Sequence, residues 1–130
     1  MVIVVTRLHL KGIRALPLFT LHTLKSIWQL KKIKGVRFSS YRKEGLLTFW
    51  TMTGWENIDA MKQFRNHGAH LEAMKVSRKL ADELQYIRLE TNDRPSWQEC
   101  KQRYTRNTTN QLHILVPSVV HKRCIWIILN

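Results

Sequence analysis

The segment from Leu46 to Trp55 reads as a strand with two apolar faces, Leu46, Trp50 and Met52 on one side and Leu47, Phe49 and Trp55 on the other. Successive side chains alternate across a strand, so such a segment cannot keep one side in water. Helices must cover one face and a different layer the other. The 130 residues leave room for one domain, and a chain of this length buries roughly two thirds of its unfolded surface without a disulfide or metal staple.

The elements around that strand set the topology. Residues 2–10 are β-branched and apolar and read as a strand, with Val2, Val4, Thr6, Leu8 and Leu10 on the more apolar face and Arg7 and His9 on the other. Residues 16–33 read as an amphipathic helix with Pro17 in its first turn. Leu16, Phe19, Leu24, Ile27 and Leu30 share one arc, with Lys25, Gln29 and Lys32 opposite. Residues 36–42 read as a strand, joined to the doubly apolar one by a turn at Lys43-Glu44-Gly45. Residues 56–67 and 69–83 read as helices separated by Gly68, and residues 84–90 as a fourth strand. The order β-α-β-β-α-β is the ferredoxin-like α+β pattern. A further helix from Ser96 to Tyr104 carries a capping box, Ser96 with Glu99. The polar stretch Thr105 to Gln111 reads as a linker, so the expected division is a domain over 1–104 and an extension over 105–130 whose apolar end, Leu112 to Asn130, has no place in the core.

Charge is the compositional anomaly: 22 Lys and Arg against nine Asp and Glu give +13. Residues 1–44 hold ten of those cations and the single acid Glu44, whereas residues 45–90 are neutral. The run Lys31 to Arg37 closes the first helix, where cations complement the helix dipole. Trp28 and Tyr41 flank it, but no nucleic-acid module signature accompanies it, so nucleic acid is not the expected partner. Cys100 and Cys124 are too few for a disulfide framework and lack metal-type spacing; two reduced thiols in a cytoplasmic protein are expected. The start of the chain has no basic n-region, and no apolar run approaches the roughly 20 residues of a membrane-spanning helix. Hydrolase triads, phosphate loops, dinucleotide-binding glycine patterns and carboxylate pairs are not visible.

The succession Leu47 to Phe64, with its Trp55-Glu56 and Phe64-Arg65, followed by Gly68-Ala69-His70-Leu71-Glu72-Ala73-Met74, resembles the antibiotic-biosynthesis-monooxygenase type of dimeric α+β barrel. It is most similar to the spheroidene-monooxygenase-like branch. Leu16-Pro17 with His22, and Arg94-Pro95-Ser96-Trp97, are similar to that branch as well, and the likeness covers about residues 2–104. The resemblance implies a homodimer with facing sheets, which would cover the second face of the doubly apolar strand, and a pocket in each subunit between sheet and helices. Oxygenation is the implied reaction, and haem a cofactor known in the branch. By the same likeness Thr6, Phe64 and Met74 stand where haem-degrading relatives carry a catalytic Asn, a Trp and the haem-ligating His, so these three positions depart from that pattern.

His70 opens a helix on the side of Ala73, Met74 and Leu80, so its imidazole should point inward, as a haem ligand, as a base, or as a packed or capping histidine. Trp50, Trp55 and Phe64 would line a pocket for a flat apolar ligand such as haem, a quinone or a polyene, or would be simple core. Thr6 and Met74 complete the expected pocket. His22 reads as a boundary residue, His67 as a loop residue, and Arg7 with His9 as interface or ligand groups. The second reading is a non-enzymatic dimeric binding module whose basic first third contacts an anionic partner.

Overall fold

The computed structural model describes residues 1–114. Its elements are β1 (Val2–Leu10), a 3-10 turn (Ile13–Ala15), α1 (Leu16–Leu30), β2 (Val36–Glu44), β3 (Thr48–Trp55), α2 (Ile58–Arg65), α3 (Gly68–Leu80), β4 (Ala81–Glu90) and α4 (Trp97–Ile114). The four strands form one antiparallel sheet in the order β2-β3-β1-β4, so the two strands joined by α1 are separated by β3. This is the ferredoxin-like arrangement that the element order predicts.

Each strand presents alternate residues to two layers. Toward α1, α2 and α3, the sheet packs a cluster of Val2, Trp55, Leu30, Met61 and Phe64 at one end. A second cluster, Leu8, Leu10, Ala15 and Ala81, closes the other end. The opposite face carries Ile3, Val5, Met52 and Trp50, and α4 lies on it through Cys100 and Tyr104, both buried. A helix of the same chain thus covers the second face of the doubly apolar strand at Trp50 and Met52.

Several boundaries differ from the sequence reading for tertiary reasons. The doubly apolar strand begins at Thr48, and Leu46 sits half exposed in the turn after Gly45. The helix expected to reach Glu83 ends at Leu80, because β1 pairs with this segment as far as Leu10 opposite Ala81, and the Lys11 amide donates to the Leu80 carbonyl at 2.9 Å. Strand pairing thus overrides local helix propensity. Arg7 pairs with Glu83, and His9 Nδ1 lies 2.7 Å from Asp82 Oδ1, so both are engaged within the sheet. Leu24 is not on the core arc of α1; it is 60% exposed, while Ser26 is buried in its place. The helix after Ser96 has the expected cap, Glu99 N to Ser96 Oγ at 3.2 Å. It does not stop at Tyr104 but runs on to Ile114, so the expected linker 105–111 is helical. The apolar end after Ile114 lies outside the described residues.

Candidate functional site

Between the two helix-side clusters the sheet and helices do not close. They leave a cavity of about 220 Å3 with predominantly apolar walls. Its floor follows from strand register. Tyr41 of β2 stands opposite Thr51 of β3, Thr51 opposite Thr6 of β1, and Thr6 opposite Tyr86 of β4. All four line the cavity, so one row across the sheet sets two threonines between two tyrosines. Phe49, Leu8 and Leu84 flank the row on one side and Val4, Thr53 and Trp55 on the other.

The roof comes from α1 and α3. Phe19, Thr23, Ser26 and Ile27 recur at helical spacing on α1, and His70, Ala73, Met74 and Ser77 on α3. Ser26 is 8% exposed, and its hydroxyl has no hydrogen-bond partner among the described residues. A buried hydroxyl left unpaired costs about 1–3 kcal/mol, which a ligand or water reaching it would recover. Nδ1 of His22, one turn earlier on α1, is also buried without a partner among the described residues.

His70 is positioned from two directions. Its ring stacks on Phe64 at 4.3 Å between centroids and 24° between planes, and Phe64 in turn contacts Trp55 at 5.3 Å. Its amide donates to Gln29 Oε1 at 2.8 Å, while Gln29 Nε2 donates to the His67 carbonyl at 2.9 Å. Gln29 of α1 thereby fastens the junction of α2 and α3. Gly68, at φ +64, gives the chain its turn there, and a side chain at that position would meet Gln29 at 3.1 Å. Burial pushes the His70 imidazole down to about 4, with the Arg65 cation adding to the effect, so the ring is neutral at ordinary pH. Arg65 lines the same corner of the cavity.

Of the residues singled out from sequence, Thr6, Trp55, Phe64, His70 and Met74 meet around this cavity. Trp50 does not. It lies on the α4 side of the sheet, donating from Nε1 to Glu44 Oε2 at 2.6 Å and meeting Tyr104 edge-on at 5.0 Å. Its even position on β3, against the odd position of Trp55, places it across the sheet. His22 borders the roof without lining the cavity, and His67, exposed, contacts the Gln63 carbonyl from Nδ1 at 2.8 Å. Ser26, Arg65, Tyr41, Thr51 and Tyr86 were not singled out. Ser26 follows Phe19 by seven residues and Thr51 shares parity with Trp55, so both were accessible to periodicity; Tyr41 and Tyr86 depend on register.

Haem does not fit this site. A cavity of about 220 Å3 lies below the roughly 300–1,000 Å3 of sites for drug-sized molecules, and a tetrapyrrole is larger than most of those. Among the described residues no group of three or more His, Cys, Asp or Glu could hold a metal ion.

No family model matches the sequence, and no curated protein matches it. Solved structures do. A candidate antibiotic biosynthesis monooxygenase from Deinococcus radiodurans is 17% identical, with a TM-score of 0.62 over 74% of this chain and 97% of its own. SnoaB, a cofactor-independent oxygenase from Streptomyces nogalater, is 15% identical with a TM-score of 0.59, covering 72% and 94%. Rv0793 from Mycobacterium tuberculosis is 14% identical with a TM-score of 0.65, covering 73% and 98%. The chain therefore has the α+β fold of the antibiotic biosynthesis monooxygenases.

Proposed function

We propose that the protein is a monooxygenase-like enzyme acting on a small flat hydroxyaromatic molecule held between the sheet and the α1–α3 roof. The observation that carries this is the pairing of an apolar cavity with a buried, unpartnered Ser26 hydroxyl and a neutral His70 beside the Arg65 cation. Of the flat ligands considered from sequence, one of quinone size suits the volume, whereas a long polyene and haem exceed it.

The chemistry follows from the electrostatics. A neutral imidazole accepts the proton of a ring hydroxyl, and the phenolate left behind raises the affinity of His70 for that proton. Arg65 favours the same anion. An electron-rich phenolate can form a carbon–oxygen bond with dioxygen at the ring carbon. Scission of the O–O bond then releases one oxygen as water and leaves the other as a quinone carbonyl, with the substrate supplying the electrons. SnoaB, which shares the fold, is a cofactor-independent oxygenase. We also propose a cytoplasmic homodimer, supported by the sequence resemblance, in which α4 rather than bare sheet faces the partner.

The test is oxygen uptake with 1-naphthol as probe. Uptake matched mole for mole by 1,4-naphthoquinone is expected in wild type, falling about 100-fold in His70→Ala. Uptake no faster than in buffer would overturn the reading. Haem titration is expected to give no Soret band dependent on His70; a band lost in His70→Ala would restore haem. Sedimentation should return twice the 15.5 kDa chain mass, and a monomer at high concentration would remove the dimer.

A further inference from the structure

Helix α1 is apolar on two sides, and among the described residues only one of them is covered. Phe19, Ser26 and Ile27 face the cavity. On the other side Leu21, Leu24 and Trp28, spaced i, i+3 and i+7, form a stripe 49%, 60% and 65% exposed. At 100° per residue Lys25 and Lys32 border it on one flank and Lys31 on the other, all three exposed. Lys32 Nζ lies over the Trp28 ring, 3.2 Å from its centre. An apolar helix face is normally buried against another element, and this second one is not.

We propose that the outer face of α1 is a peripheral docking surface for an anionic lipid bilayer. Leu and Trp side chains bordered by long Lys stems suit the boundary between headgroups and acyl chains, where the stems let the ammonium groups rise to the phosphates. Residues 1–43 contain no acid, so α1 and the turn that closes it contribute cations and no anion to this surface. A second copy of the chain seated on the stripe would bring Lys25, Lys31 and Lys32 against their own counterparts. Nucleic acid would find cations there but little use for Leu21 and Leu24, which offer no face for base stacking. Because the cavity lies on the opposite side of α1, docking leaves it intact.

The experiment is flotation of the full chain with vesicles of phosphatidylcholine with and without phosphatidylglycerol, together with quenching of tryptophan emission by brominated lipid. Binding to the anionic vesicles alone is expected, weakening with salt and unaffected by inorganic phosphate at matched ionic strength. Each Lys near the surface contributes a factor of about five, so the triple variant Lys25→Gln, Lys31→Gln, Lys32→Gln should bind about 100-fold more weakly. Leu21→Asn with Leu24→Asn should weaken it at least about tenfold, and Trp28→Phe should bind but lose most of the quenching. Arg42→Gln with Lys43→Gln, on β2, should change binding by less than about threefold. All these positions are exposed, and unchanged urea midpoints would show the variants folded. The proposal is overturned by absence of flotation at low salt, by equal losses in the α1 and β2 charge variants, by quenching that survives Trp28→Phe, or by the Leu variants converting an oligomer to monomer without affecting flotation.

Discussion

His70 shows how strongly one side chain is set by its surroundings. Burial, then Arg65, lowers its pKa to about 4 from an ordinary value of 6.5. Between those values the unfolded chain binds a proton that the folded chain does not, so stability falls as pH falls from about 6.5 and levels off below about 4. The contribution is at most about 3 kcal/mol. Urea unfolding at pH 7 and at pH 4.5 should therefore show a smaller pH dependence in His70→Leu than in wild type; equal dependence would contradict the assignment. The inward direction of this histidine was legible in the sequence, because it shares a helix face with Ala73 and Met74. Its neighbours were less so. Trp50 and Trp55 differ in strand parity and could never have lined one pocket, and Ser26 was hidden by polarity, which argues for solvent unless something beneath the helix calls for a hydroxyl.

Elements were legible where local pattern and tertiary pairing agree, and misread where they compete. The Ser96 cap marks α4 in sequence, whereas α2, expected from residue 56, starts two residues later behind Asn57, whose side chain accepts from the Ala60 amide at 2.9 Å. The junction of α3 with β4 does not mark itself, since Ala81-Asp82-Glu83 would continue a helix and only pairing with β1 makes it a strand. Gln29 belongs to this scale: a residue assigned to the outer face of α1 instead joins α1 to the α2–α3 turn. Gln29→Ala should cost about 1–2 kcal/mol and loosen His70, weakening 1-naphthol binding in calorimetry. Wild-type affinity would show that the clamp does not position the site. On β3, a methyl at Gly54 would lie 2.3 Å from the Phe38 ring. Gly54→Ala should therefore destabilise by about 1–3 kcal/mol, read as a lower midpoint in a thermal melt.

At the scale of the molecule, the doubly apolar strand correctly demanded two covers, and the second is α4. Trp97 Nε1 donates to Ser40 Oγ at 3.0 Å and Tyr104 Oη to Gln85 Oε1 at 2.8 Å, tying the helix to β2 and β4 around buried Cys100. Tyr104→Ala should cost about 3–5 kcal/mol in urea unfolding, as for an aromatic removed from a core; a change below about 1 kcal/mol would show α4 to be peripheral. Sequence periodicity could not say which segment supplies that cover, because a strand buried on both faces looks the same under a helix of its own chain or a partner's sheet. The proposed function requires the space between sheet and roof to be a binding site. The most direct measurement is titration of 1-naphthol into wild type and into Ala73→Phe, which places a ring in the cavity. Saturable binding in wild type and its loss in folded Ala73→Phe is the predicted result; equal binding to both, or none to wild type, would contradict the account.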